Sequence, residues 1–335
     1  MPRCGRPLRS SMLALLARHL VLLIGIWIPV SCIEQPGNYS AEDSPRFEPV
    51  PVIKPGGQVV AVALGSGGPR VFAAIGVLKA LEAKGYVPDL IVGTSGGAII
   101  GALYAAGFTP DEIEAIALET TLFELLDLVI SDYGYIGGQA LHGKLTRLLE
   151  GKTIESLKKP FAAVVTHVET GVMEILNRGN AALAVRASMA IPGVFLPVII
   201  DGAHYVDGEL VAPVPIRVAK QLGADVVIAV DVQARLDEAP AMPFYPPEWL
   251  SMGVLKRRLV DAEVDSTTIL VQPVLSYYAG FSNQYKQSFI AAGEAAINDA
   301  LPKLRELIQP EDQKTRKVNN AGRLLVRRMP PARSL

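Results

Sequence analysis

Residues 58–107, "QVVAVALGSGGPRVFAAIGVLKALEAKGYVPDLIVGTSGGAIIGALYAAG", decide the fold. "QVVAVAL" (58–64) is a β-branched apolar run that fits a strand buried on both faces. "GSGGP" breaks it, and from Arg70 to Lys84 the apolar positions Val71, Ala74, Ile75, Leu78 and Leu81 keep helical spacing. "GYVPDLIV" then predicts a second strand ending at Gly93, and "SGGAIIGALYAAG" a helix of small residues stopped by Gly107. Strand, glycine loop and helix, given twice, make a parallel βαβα unit. Ligands of such sheets sit beyond the carboxyl ends of the strands, so both glycine loops face one crevice.

The pattern continues outward. "FAAVVTHV" and "GVMEIL" read as strands around a Thr-Gly turn, "NAALAVRASMA" as a helix, and "ADVVIAVDV" (224–232) as another buried strand. "ILVQPVL" (269–275) reads as the last strand, and a helix from about Gln284 to Leu307 closes the domain, with no internal repeat. Two further apolar segments, "TTLFELLDLVI" (120–130) and "PPEWLSMGVL" (246–255), read as core helices. Their alternative use is to border an apolar ligand cleft or meet a membrane. The expected domain therefore runs from 58 to 309. Residues 32–57, rich in Pro, Gly, Ser and charge, read as a flexible tether. The tail 310–335 carries seven Lys/Arg against two acids and reads as a solvated segment, with anionic lipid headgroups as the sharper alternative.

The first residues form a unit of their own. "MPRCGRPLRSSMLALLARHL" holds four arginines and no acid, followed by the short apolar "VLLIGIWIPV" and then Ser31-Cys32. This describes an export signal over 1–31. The uncharged run from Leu20 to Val30 is about half of the ~20 residues a spanning helix needs. "PVSC" resembles a bacterial lipobox, with Pro29 where such signals usually carry Leu, and implies lipidation of Cys32 and anchoring in the cell envelope. With Cys4 in the discarded segment, disulfides and thiolate metal sites drop out. In the whole chain of 335 residues the formal net charge is −1, which gives no basic excess to suggest nucleic acid.

Chemistry concentrates in the two glycine loops. "LGSGGPR" lacks a glycine at Arg70, where a dinucleotide loop would need one, and no P-loop Gly-Lys-Ser/Thr occurs anywhere. What remains is a run of backbone N–H groups entering a helix beside Arg70, an arrangement suited to an anion or a developing oxyanion. In "GTSGG" (93–97), Ser95 stands on a sharp strand-to-helix turn that needs small neighbours. Gly93 and Gly97 supply them, and the Gly96 N–H is placed for an oxyanion. A Gly-x-Ser-x-Gly match arises by chance in roughly one chain in ten of this length, so the shared crevice carries the reading of Ser95 as nucleophile. The histidines fit a hydrolase triad poorly. His19 lies in the leader, leaving His142, His167 and His204, and none follows His204. Asp201-Gly202 between "VII" and "AHYV" reads as a hairpin turn, with His204 as a packing residue of a short strand.

Four ordered blocks, "ALGSGGPRVFAAIGVLKALEAKG", "IVGTSGGAIIGALYAAG", "RASMAIPGVFLPV" and "YVDGELVAPVP", resemble the patatin-like phospholipase family over about residues 58 to 309. The resemblance implies a three-layer α/β/α fold with a mostly parallel central sheet, and a Ser–Asp dyad without histidine, metal or cofactor. Carried over by position, Ser95 is the nucleophile, Asp207 the base, Gly67 and Gly68 the main oxyanion amides, and Arg70 the loop arginine. The chain departs from the family pattern at Ser66, Val71, Ala74 and Glu209, of which the last stands where a second glycine often follows Asp-Gly. The expected activity is hydrolysis of acyl esters, phospholipid or lysophospholipid first. A free aspartate, with pKa near 4, is a weak base for a serine, so such a dyad would lean on short contact and its oxyanion hole. A non-catalytic lipid-binding or envelope scaffold protein with the same fold is the rival, and a histidine-based thioesterase or peptidase the third reading.

Overall fold

A computed structural model describes residues 38–39, 44–49, 53, 57–234, 247–275 and 279–308. The leader with Cys32, most of the tether and the basic tail lie outside those residues, but the described part of the tether is no free linker: Asn38–Tyr39 pair with Ile199–Ile200, and Arg46 and Glu48 bond to Arg178 and Asn177. The described strands are β1 (Asn38–Tyr39), β2 (Val60–Leu64), β3 (Leu90–Thr94), β4 (Phe161–His167), β5 (Met173–Leu176), β6 (Val198–Ile200), β7 (Ala203–Asp207), β8 (Val226–Val230) and β9 (Thr268–Val271). The α-helices are α1 (Phe72–Ala83), α2 (Gly96–Ala106), α3 (Pro110–Glu119), α4 (Gln139–Leu148), α5 (Ala181–Ser188), α6 (Ile216–Gln221), α7 (Pro247–Glu263) and α8 (Asn283–Leu307). All nine strands join one sheet in the order β1-β6-β7-β4-β3-β2-β8-β9, with β5 also paired to β4.

The centre, β4-β3-β2-β8-β9, is parallel throughout, while β5, β6 and β7 enter by antiparallel pairing. Alternate side chains divide the core into two. Val60, Val62, Leu64, Ile91 and Ile228 face α1, α2, α5 and α8, whereas Ala61, Ala63, Val92, Val227 and Ala229 face α6 and Val260 of α7. Helices on both faces of a mostly parallel sheet make the three layers expected from the sequence. Central strands covered on both sides must be apolar at every position, which is why "VAVAL" and "VVIAV" show no alternation.

Two helices from opposite ends of the sequence pack at close range. A Cβ on Gly76 of α1 would collide with the Ile290 carbonyl of α8, and one on Gly293 of α8 with the Ala73 carbonyl of α1. Lys286 of α8 is buried as well. Its ammonium donates to the carbonyls of Ala117 and Thr120 at the end of α3 and lies 4.5 Å from the Phe281 ring centroid. Those carbonyls have no partner within α3, and a cation satisfies them.

Several expected elements are shorter than the sequence predicts. Gly85–Asp89 stays out of β3, since Gly85 turns at φ 84° and Pro88 offers no N–H to a ladder. β9 stops at Val271, two residues before Pro273. The largest correction falls on 120–130, which is no core helix. Only Phe123–Leu125 turns, as a single 3-10 turn. Phe123 is 87% exposed and Leu128 79%, with Leu122, Ile130, Tyr133 and Tyr135 exposed beside them. Asp127 folds this stretch back by accepting the N–H groups of Gly138 and Gln139. Of 246–255, residues 247–255 do lie in α7, where Val254 and Leu255 face solvent rather than core. Among the described residues, no helix is long and apolar enough to cross a membrane.

Candidate active site

Ser95 is the one residue between the end of β3 and the start of α2, and it takes φ 56°, ψ −130°. That conformation is uncommon for a residue with a Cβ and is kept only where the surroundings enforce it. Here they do. A Cβ on Gly93 would lie 2.5 Å from the Ala98 Cα, and one on Gly97 would collide with the Leu64 carbonyl, so the turn can close this tightly only with glycine on both sides. The Ser95 N–H donates to Ser188 Oγ at 3.0 Å, and Ser188 Oγ donates in turn to the Val164 carbonyl at 2.7 Å. The elbow is thereby tied to the end of α5 and to β4.

The Ser95 hydroxyl points at Asp207, with Oγ donating to Oδ2 at 2.6 Å. Met189 Sδ lies 3.5 Å from the same oxygen. Asp207 ends β7 and is 1% exposed. Its N–H donates to the Ala190 carbonyl, its own carbonyl accepts from Thr166 Oγ1 at 2.8 Å, and Oδ1 accepts from the Glu209 N–H at 2.8 Å. Every polar atom of the residue is held, so the carboxyl has a fixed direction. Burial, then the neighbouring Glu209 carboxylate, pushes its pKa up to about 8, and the Ser95 hydrogen bond offsets part of that rise. Burial thus raises the proton affinity of this carboxyl above that of a free aspartate, and the short contact expected of the pair is present.

The second glycine loop stands against this elbow. Gly65 and Ser66 are fixed by N–H bonds to the Val230 and Pro213 carbonyls, and Gly68–Val71 forms a 3-10 turn. Val71 fills the space beside the elbow, since a Cβ on Gly96 would lie 2.9 Å from Val71 Cγ1. Ala74, the next departure from the family pattern, is core. The amides of Gly67, Gly68 and Gly96 donate to no acceptor among the described residues. Gly68 takes φ 55°, and nothing lies within 4 Å of where its Cβ would stand. Arg70 is half-buried at the end of the same turn, its N–H on the Gly67 carbonyl.

Among the described residues, no histidine hydrogen-bonds Ser95. His204 Nδ1 lies 2.5 Å from Glu169 Oε1 and His167 Nδ1 3.3 Å from Glu169 Oε2, while His142 sits edge-on to Tyr39. Asp201 and Gly202, at φ 50° and 80°, form the hairpin turn between β6 and β7. A buried hydroxyl–carboxylate pair at a strained turn, beside three unfilled amides, can activate an oxygen nucleophile and hold an oxyanion. Sequence reasoning missed Ser188, Thr166 and Met189. Two of them, Ser188 and Met189, lie within "RASMAIPG", while Thr166 carries no local signal.

A family model described as "Patatin-like phospholipase" matches residues 62–220, which include both Ser95 and Asp207. The fold is patatin-like. Among curated relatives, a Mycobacterium tuberculosis protein described as an uncharacterized NTE family protein is 37% identical over 201 residues, 58% of this chain and 55% of that one. The human patatin-like phospholipase domain-containing protein 6 is 37% identical over 185 residues, 52% of this chain and 13% of that one. The mouse patatin-like phospholipase domain-containing protein 7 is 33% identical over 187 residues, 53% of this chain and 14% of that one. The chain thus spans about half the length of the mycobacterial relative, and a small part of the mammalian ones.

Proposed function

We propose that this protein is a serine acyl-ester hydrolase of membrane lipids, with phospholipid or lysophospholipid as substrate. The observation that carries the reading is the 2.6 Å hydrogen bond from Ser95 Oγ to the buried Asp207 carboxylate at a strained elbow. Ser95 Oγ attacks the ester carbonyl carbon as its proton passes to Asp207 Oδ2. The amides of Gly67, Gly68 and Gly96 receive the oxyanion, and Arg70 adds a cation to that anion site. The carbonyl re-forms, the bond to the alcohol breaks, and Asp207 returns the proton to the departing oxygen. Water, deprotonated by Asp207, then releases the acyl group from Ser95. A lipid substrate is supported by the family match and by the exposed apolar side chains of 122–135, which suit a lipid–water interface. The proposal extends to location. The basic leader and Ser31-Cys32 support loss of residues 1–31 and lipidation of Cys32 in a bacterial envelope, so labelled palmitate should enter wild type and not Cys32→Ser.

Covalent labelling by a fluorophosphonate probe, together with fatty-acid release from phosphatidylcholine vesicles, tests the chemistry. Wild type should label and hydrolyse, and Ser95→Ala should do neither. A folded wild-type protein that takes no label, or a fully active Ser95→Ala, overturns the reading. Gly68→Pro, which removes one oxyanion donor and distorts a turn that holds φ 55°, should lose about a hundredfold or more in turnover, whereas Gly68→Ala keeps the amide, is strained at that φ, and should lose less.

A further inference from the structure

Glu209 is both a support of Asp207 and a threat to it. Its backbone N–H holds Asp207 Oδ1, so its carboxylate cannot leave the neighbourhood. An uncompensated acid there would repel the charge that Asp207 must carry to accept a proton. The structure answers with Lys256, whose Nζ lies 2.5 Å from Glu209 Oε1, the two side chains being 20% and 22% exposed. A pair so largely withdrawn from water is weakly screened. Lys256 comes from α7, beyond the stretch matched by the family model.

Other charged groups around Asp207 are engaged elsewhere. Arg257 of α7 turns to Asp261 and Asp231, Arg217 of α6 to Glu263, and His167 of β4 to Glu169. Arg186 of α5 is spent on the carbonyls of Gly137, Gly138 and Leu196. Ser95 and Met189 approach the site without charge. Among the described residues, Glu209 raises the proton affinity of Asp207 and Lys256 lowers it.

We propose that the Glu209–Lys256 ion pair is a positioning device for the base: Lys256 holds the Glu209 carboxylate and offsets part of its repulsion, which eases the ionisation of Asp207 while α7 is docked. The inference rests on Asp207 as the base of the proposed hydrolase. It makes Lys256 and Glu209 positioning residues that act through Asp207 without touching substrate.

The test is the pH profile of kcat/KM for a short-chain nitrophenyl ester, measured on the full chain with folding checked by circular dichroism. Lys256→Met should move the acid limb up by roughly one pH unit, which is about a tenfold loss below the limb. Glu209→Gln should move the limb down, the double variant should follow Glu209→Gln, and Lys256→Arg should restore the wild-type limb. A merely structural brace predicts otherwise: both single variants lose the same factor at every pH and the limb stays in place, and that result overturns the proposal. Should Lys256→Met fail to fold, Glu209→Gln alone decides, because loss of a brace cannot lower the limb. An active Asp207→Asn would sink the hydrolase mechanism itself. An inactive Asp207→Asn with unmoved limbs would sink the ion-pair proposal alone.

Discussion

Two Asp-Gly pairs stand six residues apart on one hairpin strand and have opposite fates. Asp201-Gly202 is exposed and left-handed at both residues, a two-residue turn that joins β6 to β7 and touches nothing of the site. Asp207-Gly208 is buried at the other end of β7, with Asp207 at φ −49° and its carboxyl aimed at Ser95. The dipeptide is the same and the neighbours differ. β7 pairs with β4, and β4 with β3, so the far end of β7 is carried to the edge where the elbow of β3 lies. An aspartate in water offers a weak base. The same group under the sheet edge, with every polar atom held, offers a strong one.

That contrast can be broken by mutation, most visibly at Asp207. Asp207→Asn and Ser95→Ala should each cost about a thousandfold or more in kcat for a nitrophenyl ester, because the two would act as a unit. Asp201→Asn, assayed beside them, should keep the wild-type rate. A reversed result would put the chemistry on the wrong pair.

Smaller is the effect expected at Ser188, which neither pair contains. Ser188→Ala leaves the buried Ser95 N–H and the Val164 carbonyl without their shared partner. We expect about 2 kcal/mol of lost stability, read by urea denaturation, with a fall in kcat as the elbow loosens. Unchanged stability would mean that the elbow holds its geometry without this tether.

Stability and pH sharpen the contrast further. Asp207 has a folded pKa raised to about 8 against an unfolded value near 4. Its ionisation therefore costs stability, none of it below about pH 4 and all of it above about pH 8. Asp207→Asn should melt higher than wild type by a margin that grows across that window, about 2–4 °C for each kcal/mol relieved. The acid limb of wild-type kcat/KM should lie close to pH 8 rather than pH 4. A limb near 4, or an Asn variant less stable at pH 8, would show that burial does not govern this carboxyl.

The least effect belongs to the turn. Asp201→Asn should change stability by no more than about 0.5 kcal/mol, since asparagine suits a left-handed turn position equally. Asp201→Val, which forces a β-branched residue to positive φ, should cost about 1 kcal/mol with the rate unchanged.

Much of this was legible in the sequence because it is local. The apolar runs of β2, β3 and β8, the helical spacing of α1, the glycines around Ser95 and the Asp201-Gly202 turn each declare themselves within a few residues. Ser188 could be placed only inside a block of family resemblance, since its role depends on the Ser95 amide across the sheet. The raised proton affinity of Asp207 is not legible in the sequence because burial is a property of what covers a residue. The stretch 120–130 failed for the same reason: its apolar residues look like core, yet Asp127 and the end of α3 steer them outward, and composition cannot say what lies above them.

The glycine-to-backbone contact between α1 and α8 has a bearing on synthesis. α1 leaves the ribosome early, with its Gly76 face shaped for a helix that is the last of the described ones to be made. The elbow between β3 and α2 can form while that face is still bare, but the layer above it stays unsealed until α8 emerges. Lys286 adds the final closure by reaching back to α3. A nascent chain stalled before α8 would therefore carry a complete serine elbow under an open roof, and would be an early target for proteolysis.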